Sequence, residues 1–179
     1  MVFQNVLNRI ERPFTFVVMG DTHYAFQDLD PNLDRKTTNP QFLDRANETE
    51  VFNFPIISML KAFKKHSPKF IVMTGDQVGG YQPGGNEKLD MHRGLKHFDV
   101  CGIPLFMVRG DQDRVEDFDR IVLPYMSQFL GHDLQDHFYF IDVNGCRLIF
   151  LNTTDWCKGS VQRAWLENLL RESTKLNIE

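Results

Sequence analysis

Short apolar runs recur along this chain, and three of them drive straight into Gly-Asp. Phe14-Thr15-Phe16-Val17-Val18-Met19 ends in Gly20-Asp21, Phe70-Ile71-Val72-Met73-Thr74 in Gly75-Asp76, and Pro104-Leu105-Phe106-Met107-Val108-Arg109 in Gly110-Asp111. β-branched and aromatic runs bounded by glycine predict buried strands. Between the first two lies Val51 to His66, where Phe52, Ile56, Leu60 and Phe63 recur every three or four residues. That period predicts an amphipathic helix, with Pro55 in its first turn, Lys61, Lys64, Lys65 and His66 at its negative pole, and Ser67-Pro68 as its stop. A second helix is expected from about Glu87 to Phe98. His92 and His97 fall on it and read as surface or packing residues.

Further on, Phe138 to Val143 and Arg147 to Leu151 flank Asn144-Gly145, a strong hairpin signal. Ser160 is placed to cap a last helix, whose apolar face is expected at Val161, Trp165 and Leu169 with Leu166 and Leu170. The polar stretch from Gln27 to Asn47 predicts a long loop beside the first Gly-Asp. Gly79 to Gly85 is another loop, and the absence of a following Gly-Lys-Ser/Thr separates it from phosphate-cradling P-loops.

A single Gly-Asp is ordinary turn chemistry, because glycine permits positive φ and aspartate bonds its own backbone. Three of them, each at the end of a strand, put carboxylates on one rim of a sheet, where α/β enzymes gather their chemistry. The first also places an imidazole two residues on, in Asp21-Thr22-His23. Carboxylates and imidazole suit hard or borderline cations.

Composition narrows the class. The 179 residues suit one domain, or one domain and a long loop, and 42% hydrophobic with 12% aromatic content is globular, with sixteen Phe implying a thick aromatic core. A net charge of −4 without a basic block gives no nucleic-acid or membrane-surface signal. The apolar runs are too short to span a membrane, and no signal peptide is read. Cys101, Cys146 and Cys157 are odd in number and unpatterned, so free thiols and a cytoplasmic location are expected, without a Cys-based metal site.

The order Asp21-x-His23, Gly75-Asp76, Gly110-Asp111-Gln112-Asp113 resembles the calcineurin-like metallophosphoesterases. The strand-loop-helix spacing, the hairpin at Asn144-Gly145 and the Gln162-x-x-Trp165-Leu166-Glu167 helix follow in the family's order, so the likeness covers nearly the whole chain. It implies one α/β domain over residues 1–179, a calcineurin-like α/β/β/α sandwich truncated at the C-terminus. It further implies two divalent ions, drawn from Mn, Fe, Zn, Co or Mg, in a complete site. Asp21 and His23 would hold the first, Asp76 would bridge both, and Asp111 would take the place of an Asn ligand on the second. The expected reaction is hydrolysis of a phosphoester on a small molecule or a macromolecule, with Gln112 and Asp113 at the catalytic positions.

The chain departs from the family pattern in three respects. The third motif usually reads Gly-Asn-His-Asp or Gly-Asn-His-Glu; here Asn has become Asp111 and the catalytic His has become Gln112. Asp113 matches the acidic residue that orients that His. The family's later His and its Gly-His-x-His motif have no counterpart, and His132 and His137 are the substitutes considered. A missing C-terminal part would leave a sheet edge or face uncovered, from which a homodimer, a strand-swapped assembly or a fragment of a longer protein is expected. The alternative is a catalytically impaired scaffold that binds a partner or a single metal. A haloacid-dehalogenase-like phosphatase is set aside, because that chemistry needs Asp-x-Asp where this chain has His23.

Overall fold

A computed structural model describes residues 7, 10–11, 13–22, 58–78, 87–157 and 159–175. The three apolar runs form β1 (Val17–Met19), β2 (Ile71–Met73) and β3 (Leu105–Met107), paired in parallel in the order β1-β2-β3. Between β1 and β2 runs helix α1 over residues 58–65, and between β2 and β3 runs α2 (Glu87–Cys101). Of the expected face of α1, Leu60 is buried and Phe63 packs on the core, while Phe52, Pro55 and Ile56 lie outside the described residues. So do the Gln27–Asn47 and Gly79–Gly85 loops. Helix α2 runs three residues beyond the expected Phe98 and stops at Gly102, whose φ of 65° is the left-handed cap that glycine adopts at least cost. His92 is exposed.

The sequence pattern left residues 115–130 unassigned, and they are helical. This segment, α3, comprises Val115–Asp117, a π-helical turn at Phe118–Val122 and Leu123–Leu130. The wide turn lies just before Pro124, which has no N–H for the helical ladder. Phe118, Val122, Met126 and Leu130 are buried in the hydrophobic core.

Strands β4 (Tyr139–Val143) and β5 (Cys146–Phe150) form a separate antiparallel sheet joined at Asn144-Gly145. Their φ values of 45° and 80° are those of the tight hairpin the sequence predicts. In β4 Tyr139, Ile141 and Val143 face the core, while Phe140 and Asp142 face outward. Tyr139 lies flat on Phe150, ring centroids 4.5 Å apart. The outer edge of β3 is closed by side chains: the Tyr139 hydroxyl donates to Met107 O at 2.9 Å, and Met107 N donates to the Met126 thioether at 3.0 Å. Both outward-facing backbone groups of Met107 are thereby unavailable to another strand. Burial holds the Tyr139 phenol well above its ordinary pKa, so it remains a donor.

A turn of 3₁₀ helix, Thr153–Asp155, leads to the last helix, α4 (Val161–Lys175). Ser160 caps it as expected, accepting from Arg163 N at 3.3 Å. The expected apolar face needs correction. Leu169 is buried, but Val161 is 77% and Leu170 49% exposed, and the other buried positions are Gln162 and Ser173. Each of these polar residues has a specific partner, Gln162 on the Asn152 backbone and Ser173 on Arg147. A satisfied hydrogen bond removes the cost of burying a polar group.

Aromatic rings fill the core as the phenylalanine count implies, with Phe70, Phe106 and Phe118 fully buried. The sheet face that carries Val18, Val72 and Phe106 is covered unevenly: Phe106 is sealed, whereas Val18 is 60% exposed. All three cysteines are free. Among the described residues no helix is long and apolar enough to cross a membrane.

Candidate metal centre

The parallel register aligns Met19, Met73 and Met107. Asp21, Asp76 and Asp111 follow these methionines by two, three and four residues, so each turn begins slightly later than its neighbour. This stagger lets the turns nest. A Cβ at Gly20 would lie 2.3 Å from Thr74 Oγ1, one at Gly75 would lie 2.9 Å from Gly110 Cα, and one at Gly110 would lie 1.9 Å from Asp76 Oδ1. Gly75 and Gly110 are therefore required by the backbone of the loop beside them, whereas Gly20 meets only a side-chain hydroxyl. Asp21 and Asp76 take the same left-handed backbone, with φ of 50° and 51°. Few residues other than Gly, Asn and Asp enter that region, and strain of this kind concentrates at functional sites.

Hydrogen bonds lock the turns in sequence. Asp21 N donates to Gly75 O at 3.2 Å, and Thr22 Oγ1 donates to Gln77 O at 3.0 Å. Gln77 Nε2 donates to Val108 O at 2.8 Å, and Gln112 N donates to Asp76 Oδ1 at 3.1 Å. Asp113, only 1% exposed, braces the second turn against the third. Its Oδ1 accepts from Gln77 N at 2.9 Å and Val78 N at 3.3 Å, and its Oδ2 from Gly110 N at 2.9 Å. Burial raises the Asp113 carboxyl above its ordinary pKa, and the three amide bonds pull the other way. With both oxygens on backbone amides, Asp113 positions the turn.

Arg109 ties the third turn to the far side of the domain. Its guanidinium donates to Gly110 O and Asp113 O, both at 3.1 Å, and to Thr154 Oγ1. Thr154 in turn donates to Asn152 Oδ1 at 2.6 Å. Asn152 exchanges two bonds with Gln162, its N donating to Oε1 at 2.6 Å and its O accepting from Nε2 at 2.8 Å. Sequence reasoning missed this relay from β3 to α4. Its only trace was a cation, Arg109, closing an apolar strand.

Of the expected ligands, Asp21, Asp76 and Asp111 follow three adjoining strands, Asp76 half-buried and the other two exposed, while His23 lies outside the described residues. The carboxylates suit hard cations in kind. Among the described residues, no three His, Cys, Asp or Glu side chains are grouped closely enough to hold a metal, so these residues alone do not close the site. His132 is exposed, and His137 is engaged by Asp119 at 2.5 Å. Gln112, half-buried, presents its backbone to Asp76. No family model matches this chain, and no curated protein matches it.

Proposed function

We propose that this protein is a divergent metal-dependent phosphoester hydrolase built on a calcineurin-like two-sheet scaffold. The observation that carries the reading is the interlock of three Gly-Asp turns at the ends of adjacent parallel strands, in which Gly110 admits the Asp76 carboxylate. Asp21, His23, Asp76 and Asp111 would hold the cations in this reading. Divalent ions held there would supply Lewis acidity to neutralise phosphoryl charge and strengthen water as a nucleophile. The protein's own contribution is placement. The Gln112 amide N–H fixes one Asp76 oxygen, and Asp113 holds the third turn in register with the second. The Gln112 side chain can donate a hydrogen bond to a phosphoryl oxygen but cannot shuttle a proton, so turnover is expected to be slow.

The test is hydrolysis of p-nitrophenyl phosphate and bis(p-nitrophenyl) phosphate with added Mn²⁺, for wild type and Asp76→Asn. Metal-dependent turnover that falls at least about 10²-fold in the variant supports the reading. Wild-type turnover that Asp76→Asn leaves unchanged rejects it.

One observation favours a second reading, a partner-binding scaffold of the same ancestry. Phe16 is 37% and Val18 60% exposed, large apolar side chains at β1, and Met59 on α1 is 40% exposed. Robust hydrolysis by the purified chain would eliminate a purely non-catalytic role.

A further inference from the structure

Away from the Gly-Asp turns, a cleft of about 420 Å³ opens between the segment after α3, the outer face of β4 and α4. Its walls are aromatic. Phe138, Phe140 and Trp165 line it, with the Phe138 and Trp165 ring centroids 4.9 Å apart. Its rim carries Asp133 and Asp136, both exposed. A second cleft, of about 320 Å³, shares Gln135, Asp136 and Phe138 with the first and adds Asp119, which is paired with His137. The two clefts thus adjoin at Phe138 and Asp136 and both carry carboxylates.

One guanidinium of the chain itself is held by this kind of surface. At the end of the first cleft Arg147 lays its guanidinium over the Phe140 ring, 4.2 Å from the centroid. Two bonds of 2.7 Å join the same guanidinium to Asp142, and a third of 2.8 Å reaches Ser173. An aromatic face and a carboxylate together recognise a guanidinium through its flat, weakly hydrated cation. Asp142 is satisfied by Arg147; Asp133 and Asp136 offer the same chemistry beside Phe138 and Trp165.

We propose that this groove docks an arginine-bearing peptide segment of a partner protein, one guanidinium seating against Trp165 and Phe138 and pairing with Asp133 or Asp136. None of the lining residues belongs to the Gly-Asp turns, so docking here is separable from any chemistry at that rim.

The probe is acetyl-Arg-Arg-Arg-amide, titrated into the full chain carrying Trp156→Phe so that fluorescence reports Trp165 alone. Acetyl-tricitrulline-amide, of the same shape but uncharged, is the control. Saturable binding of the arginine peptide is expected, weakened about tenfold or more in Asp133→Asn/Asp136→Asn and absent for citrulline. Asp99→Asn/Glu116→Gln removes the same charge elsewhere on the surface and is expected to leave binding unchanged. Equal weakening by both double variants would overturn the proposal, because it would reduce the effect to net charge. So would the lack of saturable binding to the wild type, or tighter binding of spermine than of the peptide. The exchanged residues are exposed, and a thermal melt coinciding with wild type confirms that each variant is folded.

Discussion

Gly110 and Asp76 occupy one another's space: a Cβ on Gly110 would fall 1.9 Å from Asp76 Oδ1 and 2.3 Å from Asp76 N. The second distance is to backbone, which cannot rotate away. Gly110→Ala is therefore expected to displace the Asp76 turn and to destabilise the fold by about 1–3 kcal/mol or more, the usual cost of overpacking. At Gly20 the nearest obstacle is the Thr74 hydroxyl, the end of a side chain that can turn. Gly20→Ala should cost less. Urea denaturation of the two variants checks the order, and equal losses would contradict the interlock.

Asp113 serves three backbone amides from two turns. Asp113→Ala strips the acceptor from all of them, and each buried amide left unpaired costs about 1–3 kcal/mol. A loss of about 3 kcal/mol or more is expected in the same denaturation experiment. A loss below about 1 kcal/mol would place Asp113 outside the bracing role.

Gln112 holds Asp76 with its backbone N–H, so its side chain can be exchanged without releasing the carboxylate. Gln112→His is expected to raise phosphoester turnover, because an imidazole restores a proton donor where general acid catalysis contributes about 10²–10⁴-fold. It should also add an alkaline limb near the imidazole pKa to the pH–rate profile, above which the donor is deprotonated and rate falls. A variant with unchanged rate and profile would show that position 112 does not touch the reacting group.

Much of the architecture was legible where local chemistry dictates it. Asn144-Gly145 requires positive φ at both residues, and both have it. The three apolar runs became three parallel strands at their unbroken apolar cores, Val17–Met19, Ile71–Met73 and Leu105–Met107. Legibility failed where a contact spans the sequence. The partners of Gln162 and Ser173, ten and twenty-six residues away, make two polar residues part of the buried face of α4, which periodicity assigned to Val161 and Leu170. Residues 115–130 escaped because a π-turn before Pro124 breaks the 3.6-residue period. The aspartates of the rim were readable from their place after each strand. The brace at Asp113 and the Arg109–Thr154 relay were not, since their partners are thirty-six and forty-five residues distant.

The most direct measurement is metal content per chain by elemental analysis, on wild type and Asp76→Asn loaded with Mn²⁺ and freed of excess ion. The account predicts bound metal in the wild type, up to about two ions per chain, and its loss in the variant. Wild type without bound metal, or the same content in both proteins, would contradict it.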